Sequence, residues 1–199
     1  MPKGFSEREK AIIRANLLEK GKELFGTYGI RKTNVEELTR AAGISKGAFY
    51  LFYDSKEELY FELLEQYEAG FRATMLQKIA SDELPPRKRM KALLRTALSV
   101  WKSNALFAHF SKEEYEYLFR KLPAEKIEIH LHQDDSFAVD FIAAWKKAGV
   151  AITCDPKQVA GLIRALFFIR LHEEDFGAGV YTSVIEVYID LLSSYLVPE

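Results

Sequence analysis

The sequence predicts an all-α protein of about nine helices. Apolar residues recur at helical spacing through most of the 199 residues, as in the stripe of Leu59, Leu63 and Tyr67. Strand signals are nearly absent, because alternating runs of β-branched residues and Asn-Gly or Asp-Gly hairpin turns are missing. Residues that cap helices stand where the helical stripes begin. These three observations together define the fold class.

Three helices are predicted at the start of the chain. Residues 6–9 form a capping box that begins a helix ending at Gly29, a residue typical of helix C-termini. A second helix begins at residues 33–37 and ends at Ala42-Gly43. Ser45 then begins a very short third helix.

The remaining helices follow from caps and breakers. Residues 55–58 form another capping box, Pro85-Pro86 interrupts the chain, and Asp155-Pro156 combines an N-cap with proline at the first helical position. Residues 105–122 are predicted to form one or two short helices. The other helices are predicted at about residues 55–80, 87–102, 123–147, 156–175 and 180–197.

Composition excludes several classes of protein. The chain is 48% hydrophobic and 29% charged, which is too apolar and too evenly charged for a disordered protein. No apolar run reaches the roughly 18–20 residues of a membrane span. The N-terminus lacks the apolar segment of a signal peptide, and the single cysteine, Cys154, forms no internal disulfide framework. We therefore expect a cytoplasmic protein.

Residues 33–53 describe a helix-turn-helix, in which a helix is followed by a tight glycine turn and a second short helix. The first turn of the second helix, residues 45–48, carries small or cationic side chains and a free helix N-terminus, which suit approach to phosphate. Phe49, Phe52 and Tyr53 are predicted to pack this helix against the preceding one, whereas Tyr50 points elsewhere.

The chain resembles the tetracycline-repressor (TetR) family of bacterial transcription regulators over residues 11–64. The resemblance rests on short matches spread over the segment, above all residues 22–25, Gly29, residues 41–47, Phe49-Tyr50 and residues 55–59. It implies a DNA-binding domain at residues 1–54 and a ligand-sensing, dimerising domain at residues 55–199. It also implies a repressor that binds double-stranded DNA as a homodimer and is released by a small effector.

The resemblance also implies which residues contact DNA. Thr33, Tyr50 and Lys56 fall at phosphate-contacting positions, and residues 45–48 at the groove-facing start of the recognition helix. The full set of candidate DNA-binding residues is Lys32, Thr33, Asn34, Ser45, Lys46, Gly47, Ala48, Tyr50, Leu51 and Lys56.

The net charge of −1 agrees with this assignment only when the chain is divided. Residues 1–60 hold 11 basic and 9 acidic side chains, a net charge of +2, and residues 61–199 hold 17 and 20, a net charge of −3. DNA binding requires cations on one surface rather than throughout a chain.

Aromatic residues are concentrated in the C-terminal half, which predicts a pocket for a small apolar or aromatic effector; an aromatic core explains the same pattern. The candidates are Trp101, Phe107, Phe110, Tyr115, Phe119, Phe137, Phe141, Trp145, Phe167 and Phe168. The last two helices are predicted to form the dimer interface, although the same residues could fill their own core. These interface candidates are Leu162, Leu166, Ile169, Val184, Tyr188 and Leu191.

Other chemistry has little support in the sequence. His130 and His132 are two residues apart and so point to different faces of a helix, unlike the spacing of helical zinc sites. No catalytic motif appears, so neither an enzyme nor a cofactor is expected. The alternative function is a helical small-molecule-binding or interaction protein that has lost DNA binding, because Leu51 and Asp54 stand where TetR-family proteins often carry other residues.

Overall fold

A computed structural model describes residues 5–81, 83–177 and 179–198, without the side chains of residues 81, 101 and 102. These residues form nine α-helices and no β-strand, which confirms the all-α prediction. The helices are α1 (Glu7–Tyr28), α2 (Val35–Ala42), α3 (Lys46–Phe49), α4 (Lys56–Ser81), α5 (Pro86–Ser103), α6 (Lys112–Lys121), α7 (Ala124–Lys147), α8 (Pro156–Leu171) and α9 (Val180–Leu196). None of the described helices is long and apolar enough to cross a membrane.

Side-chain caps begin several of the described helices at the predicted positions. Ser6 with Glu9, and Asn34 with Glu37, form complete capping boxes in which each side chain bonds to the other residue's backbone N–H. Asp155 caps α8 in the same way and is followed by proline. Each cap satisfies amide donors that have no partner within the helix.

The structure corrects the predicted end of α8. The helix ends at Leu171 rather than near residue 175, and a separate 3₁₀ turn follows at Glu173–Phe176. Three consecutive acidic residues, 173–175, are unfavourable at the negative end of a helix. They pair instead with the last basic residues, as in the 2.7 Å contact between Arg170 and Glu173.

The first of two compact units comprises the chain up to Tyr67 together with Asn104–Leu122. Residues of α6 and of the preceding 3₁₀ turn, Ala105–Phe107, pack within this unit. The Tyr60 hydroxyl donates to the carbonyl of Leu106 at 3.1 Å. The fully buried apolar side chains of this unit include Leu17, Phe25, Leu38, Phe49, Leu59 and Leu118.

The second unit comprises Glu68–Ser103 and the chain from Pro123 onward. Its core is formed by apolar faces of α4, α5, α7, α8 and α9, with Ile79, Met90, Trp145, Val159 and Ile189 among its most buried residues. The boundary between the two compact units, after Tyr67, differs from the expected domain boundary at residue 54. That boundary stays a prediction.

Candidate nucleic-acid interface

The turn between α2 and α3 has the geometry that a helix-turn-helix requires. Gly43 ends α2 in the left-handed conformation, with φ 70° and ψ 30°, where a side chain is disfavoured. Ser45 then caps α3, since its hydroxyl accepts the N–H of Ala48 at 3.1 Å. After Phe49 the chain continues as turns, so the recognition helix is barely longer than one turn.

The inner side of α3 is apolar, as the sequence predicted. Phe49 is fully buried and its ring centroid lies 5.9 Å from that of Tyr53. The Tyr53 hydroxyl donates to Glu62 at 2.8 Å, and Glu62 also accepts from Arg14. Phe52 is half-buried. This packing fixes which side of α3 faces outward.

Seven of the ten candidate DNA-binding residues are exposed. Leu51 has 71% of its surface exposed, more than any other large apolar residue described, and Tyr50 is also exposed. The exposed candidates are Lys32, Asn34, Ser45, Lys46, Gly47, Tyr50 and Leu51. Asn34 combines this exposure with its role as the cap of α2.

Lys46 does not stand alone on this surface. Its ammonium lies 2.5 Å from Oε1 of Glu36 on α2, and both side chains are 54% exposed. The ion pair raises the pKa of Lys46 and lowers that of Glu36. Sequence reasoning missed Glu36, because its ten-residue separation from Lys46 matches no helical spacing.

Three candidates are placed differently from expectation. Thr33 is fully buried, and its hydroxyl donates to the carbonyl of Gly29 at 2.9 Å. Ala48 faces the inner side of α3. Lys56 directs its ammonium to backbone carbonyls, at 2.7 Å from that of Ile30 and 2.6 Å from that of Thr33. These side chains support the surface from within.

Residues of α6 contact both the turn between α1 and α2 and the first turn of α4. The Tyr117 hydroxyl donates to the buried carboxylate of Glu57 at 2.5 Å, and burial raises the pKa of Tyr117 to about 12. The guanidinium of Arg31 lies 6.0 Å from the Tyr117 ring centroid. Burial raises the pKa of Glu114, while the positive charge of Arg31 opposes that shift.

The predicted aromatic pocket residues fall into both compact units. Phe107, Phe110, Tyr115 and Phe119 belong to the first unit, where they form a continuous series of ring contacts, including a Tyr115–Phe119 centroid distance of 4.3 Å. Phe107 also contacts Tyr67, with centroids 4.8 Å apart. These four residues therefore pack within the first unit, against one another and against aromatic residues of α4.

The remaining described candidates lie in the second unit. Phe141 and Trp145 are buried, with ring centroids 6.3 Å apart, and Phe137 and Phe167 are half-buried. Phe168 is partly exposed on α8. The side chain of Trp101 lies outside the described residues.

A charged cluster joins α4, α7 and α8 in the second unit. Arg72 contacts Asp134 at 2.7 Å and Glu68 at 3.1 Å, and Arg164 contacts Asp134 at 3.0 Å. The donor atoms of Glu68, His130 and Asp134 lie within 4.8 Å of one another, a spacing that a metal ion can use. Since the two arginines neutralise both carboxylates, the cluster has no net negative charge to favour a cation.

The candidate dimer-interface residues mostly face their own core. Leu166 is buried, and the Tyr188 hydroxyl donates to the carbonyl of Leu162 at 3.0 Å. Leu162, Ile169 and Tyr188 are partly buried against the core of the second unit. Val184 is half-buried. Of the six candidates only Leu191 is strongly exposed, which shifts the candidate surface to the outer side of α9.

The fold and this surface define a helical protein with an N-terminal helix-turn-helix. Residues 17–63 match the family model described as bacterial regulatory proteins, tetR family. The transcriptional repressor DhaR of Mycobacterium sp. (strain GP1) is 29% identical over 79 residues, 40% of each chain. The regulator RutR of Escherichia coli (strain K12) is 26% identical over 179 residues, 88% of this chain and 77% of RutR.

A solved structure extends the similarity to the whole fold. A TetR-family transcriptional regulator from Pectobacterium atrosepticum superposes with a TM-score of 0.73 at 16% identity, covering 98% of this chain and 99% of that one. The match to DhaR spans less than two thirds of the length of that relative. Residues 17–63 therefore carry the tetR-family match, and the likeness to this solved structure over the rest of the chain is one of fold.

Proposed function

We propose that the protein is a ligand-responsive transcriptional regulator, a repressor that binds double-stranded DNA as a homodimer in the cytoplasm. The observation that carries this proposal is the sidedness of α3. Phe49 is buried against the first unit, while Lys46, Tyr50 and Leu51 project outward from one turn of chain. A helix exposed in this way at the end of a helix-turn-helix fits the major groove.

The exposed groups suggest how DNA is recognised. Lys32 supplies a cation for phosphate, and Tyr50 a hydroxyl. Leu51 suits contact with a thymine methyl group, which is an apolar feature of the major groove. Because one such motif reads few bases, two copies related by twofold symmetry would read a near-palindromic operator, with half-sites about one helical turn apart.

An apolar surface on α9 supports the homodimer. Val187 is 59% exposed and Leu191 is 65% exposed, and they lie one turn apart on the same face. Val180 and Tyr195 extend this exposed set. Contiguous apolar surface of this kind is typical of protein interfaces. We define these four residues as the α9 patch.

The second unit is proposed to bind the effector. The dimer can adopt a conformation in which its two helix-turn-helix motifs are not spaced to fit the operator. A ligand that binds more tightly to that conformation would increase its population and release DNA. Helix α4 contributes residues to both units, so effector binding and DNA binding can be coupled through this one continuous helix. Regulation rather than catalysis is the role that the relatives support.

The experiment is selection of bound duplexes from a random double-stranded library by the purified protein, followed by fluorescence anisotropy. We expect one enriched palindromic site whose affinity falls at least about tenfold with Lys46→Ala or Tyr50→Ala. Lys20→Ala, a change of a partly exposed lysine on α1 of the first unit, is the control. Failure to enrich any sequence would overturn the function, and unchanged binding by both variants would overturn the surface.

The second candidate function is a helical binding protein that does not recognise DNA. Glu36 neutralises Lys46, and the acidic Asp54 is exposed nearby in sequence, so the surface has less positive charge than its lysines alone indicate. Salt dependence separates the two functions. A DNA-binding protein loses affinity steeply as salt rises, whereas binding of an apolar ligand changes little.

A further inference from the structure

Arg89, on α5, is a buried cation in the core of the second unit. Only 8% of its surface is exposed, and its neighbours Ile79 and Met90 are fully buried. One guanidinium nitrogen donates to the carbonyl of Ile79 at 2.8 Å. The Nε–H has no hydrogen-bond acceptor among the described residues. Burying a charged group is costly unless an opposite charge and hydrogen bonds compensate it.

The other arginines of this unit show what compensation looks like. Arg72, Arg164 and Arg170 are partly buried, and each contacts a carboxylate at 3.1 Å or less. Arg95, exposed on the same helix as Arg89, also pairs with a carboxylate. Within the described part of the chain, no carboxylate forms such a pair with Arg89. Its charge is therefore balanced differently from theirs.

Trp145 lies beside Arg89 and has a second buried donor. The Trp145 side chain has no exposed surface, and its indole N–H lacks an acceptor among the described residues. The Arg89 guanidinium carbon is 5.2 Å from the indole centroid. This cation–π contact stabilises the charge but leaves both N–H donors unsatisfied.

We infer that Arg89 and Trp145 bind the carboxylate of an apolar organic acid. A guanidinium offers two parallel N–H groups to the two oxygens of a carboxylate, and the unsatisfied Nε–H belongs to such a fork. The indole N–H supplies a further donor. Ile79, Met90 and Phe141 make the surroundings apolar, which selects an acid with an aliphatic or aromatic body. This inference rests on the proposed function where it makes the acid the effector.

Helix capping explains part of the arrangement. The Ile79 carbonyl belongs to the last turn of α4, so Arg89 satisfies a carbonyl at the negative end of that helix. This contact uses one of five guanidinium donors. It explains neither the Nε–H of Arg89 nor the indole N–H of Trp145. A purely structural role would therefore leave two buried donors without acceptors.

The first experiment follows the indole N–H directly. The chain has two tryptophans, so the ¹⁵N-labelled full-length protein gives two indole signals, and Trp145→Phe identifies one of them. The probes are benzoate and octanoate, with benzamide and octanol as neutral counterparts. We expect the carboxylates to shift the Trp145 signal and to bind at least about tenfold more tightly than the neutral probes, measured by titration calorimetry.

The variants separate binding from structure. Trp145→Phe removes the donor and keeps an aromatic ring, and we expect about tenfold weaker binding of carboxylates with the helical circular dichroism retained. Arg89→Met is expected to abolish the preference for carboxylates. Arg95→Met removes an exposed cation of the same helix and should change nothing. If Arg89→Met fails to fold, Trp145→Phe decides the question.

The outcomes are distinct. Equal binding of acids and neutral probes, or wild-type acid affinity in Trp145→Phe, would overturn the site. So would the absence of a Trp145 signal change with linear acids of two to ten carbons and with benzoate at millimolar concentration. Acid binding that leaves the operator complex intact would refute the effector role alone. Acid binding by a protein that selects no DNA would refute the proposed function and keep the site.

Discussion

The ammonium of Lys56 lies 2.6 Å from the carbonyl oxygen of Thr33 and also donates to the carbonyls of Ile30 and Arg31. These three bonds use all three N–H donors of the side chain. Burial lowers the pKa of Lys56. The first residue of α4 thereby fixes the turn that precedes α2. A position expected to contact phosphate thus organises the backbone beside the candidate DNA-binding surface.

Replacing Lys56 with methionine is expected to lower the free energy of unfolding by about 1–3 kcal/mol, because partly buried carbonyls lose their donor. Urea denaturation followed by circular dichroism measures this change. The control is Lys32→Met, at an exposed position, which should weaken DNA binding and leave stability unchanged. Equal stability of the two variants would contradict the role given to Lys56.

Replacing Glu36 with glutamine is expected to release Lys46 toward phosphate. Affinity for non-operator DNA should rise several-fold, and the slope of log affinity against log salt should steepen by about 0.9 for one added phosphate contact. Glu23→Gln makes the same charge change in the Lys20–Glu23 pair of α1. Anisotropy over a salt series compares them, and identical behaviour would show that the Glu36 pair does not face DNA.

Charge introduced into the α9 patch is expected to dissociate the dimer. Leu191→Asp or Val187→Asp places a carboxylate where apolar surface would be buried, which an interface disfavours. Light scattering after size exclusion should then report a monomer, with much weaker operator binding. Val139→Asp changes a similarly exposed residue of α7 and should remain dimeric. A dimeric Leu191→Asp protein would place the interface elsewhere.

Acid is expected to destabilise the protein through His130. Burial lowers the pKa of this histidine below its ordinary value of 6.5; Asp134 opposes the shift, and Arg72 and Arg164 reinforce it. As pH falls below 6.5 the unfolded chain takes up the proton first, so stability declines through the folded-state pKa, by at most about 1.4 kcal/mol per pH unit.

His130→Gln removes the imidazole that takes up this proton and keeps a polar side chain of similar length. Thermal midpoints at pH 7.5 and 5.5 should therefore differ more in the wild-type protein than in the variant. Glu68, whose carboxylate lies 3.7 Å from Nδ1 of His130, is present in both proteins. The same fall in both proteins would assign the acid sensitivity to other groups.

The helix boundaries were predictable because their causes are local. The capping boxes at Ser6 and Asn34 each join residues three positions apart, and Gly43 adopts a left-handed conformation that a single glycine permits. The end of α8 was predicted too late, because apolar spacing alone does not show that the acidic residues after Leu171 are unfavourable at the negative end of a helix. Local chemistry thus predicted the elements and the helix-turn-helix motif.

The sequence by itself indicated the helical elements, the tetR-like helix-turn-helix motif and the exposed side chains of Lys46, Tyr50 and Leu51. Only the tertiary structure decided that Lys56 serves the backbone and that Arg89 faces Trp145. The partners in these contacts are 23 to 56 positions apart, and no helical period relates them. Burial and pairing of charges depend on which helices pack together, and a linear sequence does not specify that.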